Sequence, residues 1–173
     1  IAMDLIKPYS LLTYLFCNAF GESCFRLLVQ TLPLVLIVAF IFPPVLPVSG
    51  QAFALFLLMA TLGLAVVFYI YYLFGLWCFW LKTDFYVDWI MGALATIFGG
   101  GLVPLWMYPA WLQTASRFLP FRYMYYEGIA VYLGQAGDPV RALLVQASWL
   151  LGLILLEKIV WARAQRRIYV LGG

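Results

Sequence analysis

Between Arg26 and Lys82 the chain carries no charged side chain. Residues 27–42 and 51–81 fill that interval with aliphatic and aromatic residues, and only Pro43, Pro44, Pro47, Ser49 and Gly50 break it. A membrane-spanning helix needs about 20 mostly apolar residues. Two such runs in succession would leave a soluble fold with large exposed apolar patches, which associate. Composition points the same way. Hydrophobic residues make up 66% of the 173 and charged ones 10%, whereas soluble domains have about 45–50% and about 25%. The expected fold is an all-α integral membrane protein, a single transmembrane domain over residues 1–173 with no room for a separate soluble domain.

Two further apolar runs follow, at 89–103 and 142–161, and Arg163, Arg166 and Arg167 close the second. Pro33 lies inside the first span and Gly99, Gly100, Gly101 and Pro104 disrupt the end of the third. About four transmembrane helices are therefore expected. Residues 1–26 mix Asp4, Lys7, Asn18 and Glu22 with leucines and aromatics. That mixture suits a cytoplasmic helix lying in the membrane interface. Glu22 and Arg26, four apart, can pair on one face of it.

Four crossings put both ends on one side. That side holds Lys7, Arg26, Lys82, Lys158, Arg163, Arg166 and Arg167, and the other holds Arg117, Arg122 and Arg141. The excess of basic residues makes both ends cytoplasmic, in a cell (inner) membrane. Trp77, Trp80 and Trp89 on one side, and Trp106, Tyr108 and Trp111 on the other, suit the aromatic belts at the headgroups.

Several function classes lack their parts. The net charge of +3 is scattered, with no dense basic stripe, so no nucleic-acid partner is expected. Cys17, Cys24 and Cys78 form no CxxC pair and there is no histidine, which argues against zinc or a disulfide framework. These cysteines read as ordinary buried small side chains. No GxxxxGK[ST] phosphate loop and no GxSxG elbow occur. The middles of the spans hold no Asp, Glu, Lys, Arg or His, and Glu157, near the inner end of the last, is expected to reach the headgroups, with a contact to a neighbouring subunit as the alternative. No catalytic residue, cofactor or metal ligand is assigned. The chain starts at Ile1 without a signal-peptide pattern, so an N-terminal part is expected to precede it.

The strongest local signal is FGGGLVPLWMYP at residues 98–109. Three glycines and two prolines, Pro104 and Pro109, cannot continue a regular spanning helix. Freed backbone groups must then find partners inside protein or along a water-lined cavity. A re-entrant outer helical element over residues 104–141, lining an outer vestibule, is the expectation; a plain helix stop at the surface is the simpler reading. Arg122 and Glu127 make the returning stretch too polar to face lipid and are expected to stay hydrated near the outer surface. In FYIYY, Tyr69 and Tyr72 share a helix face. Their hydroxyls would normally bond a neighbouring helix; a substrate-facing pathway wall is the alternative.

The chain resembles the permease subunits of ABC exporters, in the drug and polysaccharide export class, on a branch of unknown substrate. The resemblance rests on DLIKPYS, a long span ending FWLKTD, then GGGLVPLWMYPAWL, LPFRYMYYEGIAVYLG and WLLGLILLEKIVWARAQRR, in that order. Members usually have six crossings, and this chain would supply the last four. The resemblance implies a substrate path between two permeases, identical or related, and ATP hydrolysis on separate cytoplasmic ABC ATPase subunits, not on this chain. It implies coupling loops carrying Asp4, Leu5, Ile6, Lys7 and Pro8, and Lys82 and Asp84. It also implies an exit gate made of Gly99, Gly100, Gly101, Pro104, Pro109, Arg122 and Glu127. Membrane lipid is the surrounding partner. An ion-driven secondary transporter or channel is a competing reading, but it would show inverted repeats and buried ionisable residues. A non-transporting scaffold subunit is the other.

Overall fold

The computed structural model describes the backbone of residues 10–81 and 85–171, and the side chains of these except 78–81, 85–88 and 165–171. Among the described residues every regular element is helical. The chain divides into two units, Ile1–Leu46 and Pro47–Gly173.

The first unit contains one helical run, α1 (Leu11–Ile41). Ser10 caps it, its Oγ accepting from the Thr13 amide at 3.2 Å, which satisfies one of the free donors of the first turn. No break separates the expected interfacial segment from the first span at residues 26 and 27. The run instead widens into a π turn at Leu27–Thr31, where the Leu32 amide donates to Leu27 O, five residues back. Pro33 explains the widening. It has no amide to offer Val29 O, and its ring crowds that carbonyl, so the preceding turn opens to five-residue bonding. Glu22 and Arg26 pair as expected, at 2.5 Å and in the open, an arrangement that contributes about 0.3–0.5 kcal/mol. Cys17 and Cys24 are exposed on α1. The expectation that they are buried is corrected: a helix with almost no buried side chain offers them no interior.

The second unit contains α2 (Gly50–Leu81), α3 (Phe85–Phe98), α4 (Ala110–Arg117), α5 (Tyr126–Tyr132) and α6 (Pro139–Leu171), with 3-10 turns at Leu105–Met107 and Pro120–Tyr123. The two long helices start on side-chain caps. Ser49 Oγ accepts from the Ala52 amide at 3.1 Å. Asp138 Oδ1 accepts from the Val140 and Arg141 amides at 3.1 Å each, with Pro139 at the first helical position, where no amide is needed.

α2 packs along α6, and α5 lies against α2. Buried positions of α2 include Met59, Val66, Ile70 and Leu73, and those of α6 include Gln146, Leu153, Glu157 and Ala164. Spacings of three, four and seven put each set on one helix face. Val66, Ile70, Leu73 and Leu153 form the core with Met91 of α3 and with Phe121 and Met124 from the segment before α5. In lipid, close packing holds such a seam together, because the surrounding acyl chains are as apolar as leucine.

α2 and α6 are long and apolar enough to cross a bilayer, as is α1. The third expected span, 89–103, is only partly helical. α3 has 14 residues and stops at Phe98, so it rises about 21 Å against a hydrocarbon core of about 30 Å.

Candidate functional site

α3 ends in a defined way. The Gly101 amide donates to Thr96 O and the Gly99 amide to Ala95 O, each at 2.9 Å, while Gly100 sits at φ 75°. This is a Schellman-type stop with its left-handed residue at Gly100. The three glycines were expected to share this freedom; only Gly100 uses it. A side chain there would also meet Leu105 Cγ at 3.2 Å and Tyr126 Cδ2 at 3.3 Å.

The chain then folds back. Pro104 precedes the turn Leu105–Met107 and Pro109 caps α4, so both prolines stand where a fixed φ starts a turn. Gln113 Nε2 donates to Tyr108 O at 2.8 Å and to Trp106 O at 3.2 Å, supplying the donors that this irregular backbone needs away from water. Ser116, fully buried, donates to Gln113 O at 2.8 Å. Tyr123 is buried and its hydroxyl donates to Arg117 O at 3.4 Å. Burial pushes that phenol up, so it stays a neutral donor. Between the glycine stop and α5 lies a cavity of about 500 Å³, lined by Gly99, Gly100, Gly101, Pro104 and Trp106 on one side and by Tyr125, Tyr126 and Ile129 on the other.

Arg122 and Glu127 differ from the expectation of free hydration. Their side chains are 15% and 12% exposed and bond each other, Nε to Oε1, at 2.5 Å. The guanidinium also lies 5.0 Å from the centre of the Tyr126 ring, a cation–π distance. Each charge is compensated by the other, which is how charges persist in a poorly hydrated place.

Three residues below this element were not singled out from the sequence as site residues. Gln146 of α6 is fully buried. Its Nε2 donates to Met59 O of α2 and to Tyr123 O of the hairpin, both at 2.8 Å. It thus ties two spans to the hairpin. Gly63 of α2 lies under the same place, and a Cβ there would stand 2.6 Å from Met124 O. The hairpin backbone sits where a side chain would otherwise be. Glu157, the third, is 5% exposed. The expectation that it reaches the headgroups is corrected: the α6 face shared with Gln146 and Leu153 turns it into the seam.

Tyr69 and Tyr72 are on α2 at this lower level. Tyr69 packs against the core. Tyr72 stacks on Phe68 at 5.9 Å and lies 6.5 Å from Trp161 of α6. Its hydroxyl has no hydrogen-bond partner among the described residues, so the expected bond to a neighbouring helix is not seen there. Asp4, Leu5, Ile6, Lys7, Pro8, Lys82 and Asp84 lie outside the described residues.

Compared with known proteins, residues 1–172 match a family model described as ABC-2 family transporter protein. No curated protein and no solved structure matches the chain.

Proposed function

The chain belongs to the ABC-2 family of transporter proteins, and we propose that it is the membrane-spanning subunit of an ATP-driven exporter, with the hairpin between α3 and α6 as its outer gate. The coarser statement, a multi-pass membrane permease of an ABC transporter, follows from the family and from three helices long and apolar enough to cross a bilayer. The observation that supports the finer one is the hairpin. It is an irregular segment that bonds its own backbone, encloses a cavity, and hangs on two spans through one side chain.

In this reading a second permease, identical or related, completes the pathway, and cytoplasmic ATPase subunits supply the energy. Both chain ends face the cytoplasm. Coupling runs through residues 4–8 and through Lys82 and Asp84, which lie between α2 and α3 in the sequence. Exposed charge pairs contribute only about 0–1 kcal/mol, so Leu5 and Ile6 carry more of that contact than Lys7 or Asp84. Movement of α6 against α2 reaches the gate through Gln146. The gate opens when residues 104–117 leave α5, and the Arg122–Glu127 pair holds the returning limb together meanwhile.

One experiment tests this. The protein is purified from its native membrane, in parallel with Gly100→Val, and expression, ATPase co-purification and substrate efflux are compared. The left-handed backbone costs a branched residue about 1–2 kcal/mol, enough to distort the gate without unfolding the spans. Wild type is expected to bring down an ATP-binding subunit, and Gly100→Val to keep that subunit while losing most efflux. Absence of any ATPase with wild type removes the exporter reading. Normal efflux with normal assembly in the variant removes the gate.

A further inference from the structure

The lower half of the α2–α6 seam holds two polar groups that form no hydrogen bond among the described residues. Glu157 is 5% exposed, and its carboxylate forms no hydrogen bond or ion pair among the described residues. Lys158 is next in sequence and acts on it only electrostatically. Consecutive residues point about 100° apart around a helix, and Lys158 is exposed. The second group is the Tyr72 hydroxyl, on a residue 8% exposed and without a partner. Glu157 stands one helical turn before Trp161, whose ring lies 6.5 Å from that of Tyr72, and no hydrogen bond joins Glu157 to Tyr72 among the described residues. The two groups thus face the same stretch of the seam.

Their surroundings are aromatic. Phe68 stacks on Tyr72 at 5.9 Å, Tyr69 meets Phe68 edge-on at 5.5 Å, and Trp161 lies 6.5 Å from Tyr72. Aromatic faces attract cations, and more strongly where water is excluded. A charged side chain buried in a membrane span is expensive without a partner. The missing complement is therefore a positive charge that brings hydrogen-bond donors and carries an apolar body to lie against the rings.

We infer that Glu157, the Tyr72 hydroxyl and the rings of Phe68 and Trp161 form a binding site for a lipophilic organic cation bearing N–H donors. The site rests on the exporter reading for its role, because it then receives the transported molecule on the inner side of the gate. The carboxylate takes the charge, Tyr72 accepts an N–H, and the rings exclude neutral polar molecules by leaving their groups unpaired.

The test is equilibrium binding to the purified chain in lipid nanodiscs, without ATP. Ethidium, an aromatic cation with two amino groups, is the probe, and Nile red, neutral and apolar, is the control. Wild type is expected to bind ethidium saturably. Truncating one partner of a buried charge pair costs about 2–5 kcal/mol, so Glu157→Gln is expected to weaken ethidium at least about 30-fold. Tyr72→Phe, which removes one bond in a charged setting, is expected to weaken it about tenfold. Both variants are expected to bind Nile red within about twofold of wild type, since neither changes the apolar surroundings. Absence of saturable ethidium binding to wild type overturns the site. So does unchanged ethidium binding in Glu157→Gln, or an equal loss of both dyes. Because no ATP enters, binding that survives in a chain that captures no ATPase would keep the site and remove the exporter. Captured ATPase without ethidium binding would do the reverse.

Discussion

Gln146 and Glu157 lie on one face of α6, eleven residues apart by their numbering, and the seam treats them in opposite ways. Gln146 is fully buried and gives both amide protons to backbone carbonyls at 2.8 Å, while its Oε1 has no partner among the described residues. Glu157 is almost as buried and makes no bond among the described residues. Three helical turns, roughly 16 Å, separate a side chain that donates to two other elements from one that donates and accepts nothing. A group that bonds across elements fixes them, whereas a buried charge without a bond is a cost that persists where something else is bound. The upper half of the seam therefore reads as structure and the lower half as a place for a ligand.

The largest effect is expected at the Gln146 end. Gly63→Val would put a Cβ 2.6 Å from Met124 O, a backbone atom with no flexible side chain to yield. The hairpin must then leave α2, and the loss of its packing is expected to cost about 3 kcal/mol or more. Protease nicking within residues 104–138 of reconstituted protein should rise sharply, and unchanged resistance would show that the hairpin does not depend on this contact.

Gln146→Leu comes next. It keeps the side-chain bulk but leaves Tyr123 O without its donor. Hydrogen bonds between helices in lipid average about 0.6 kcal/mol, and an orphaned buried carbonyl costs about 1–3 kcal/mol, so a loss of about 1–2 kcal/mol is expected. Amide exchange in residues 120–133 should speed up more than in residues 142–157. Uniform acceleration would mean that Gln146 merely holds the bundle, with no special tie to the hairpin.

The smallest effect, and of opposite sign, is expected at the Glu157 end. Glu157→Gln removes an uncompensated charge while keeping the shape, so the ligand-free protein should unfold at the same temperature or slightly higher. A clear fall in unfolding temperature would show that the carboxylate has a partner within the fold, and the contrast between the two ends would vanish.

Much of this was legible in the sequence. The uncharged interval from Arg26 to Lys82 required a membrane fold, the cluster from Pro43 to Gly50 marked a break, and the glycine and proline cluster at 99–109 marked the stop and return. These signals are local, because caps and turns depend on a few neighbouring residues. What could not be read depends on which helix faces which. Gln146 looks like one polar residue in an apolar run until Met59 O and Tyr123 O are placed beside it. Gly63 gives no hint that Met124 O needs its space. Glu157 was the more accessible miss. Its spacing from Gln146 and Leu153 puts it on their face, and that face is the one turned inward.

The short α3 has a further consequence for the surrounding lipid. α2, with 32 residues, rises about 48 Å, and α3, with 14, about 21 Å. The lengths of the two neighbouring helices therefore differ more than twofold. Where a protein is shorter than the membrane, acyl chains compress or tilt to meet it, at a cost of fractions of a kcal/mol per Å. Beside α3 the same mismatch can be met by the hairpin that follows it. The rest position of that hairpin is thus set by membrane thickness as well as by side chains, and a thicker bilayer loads it more than a thin one.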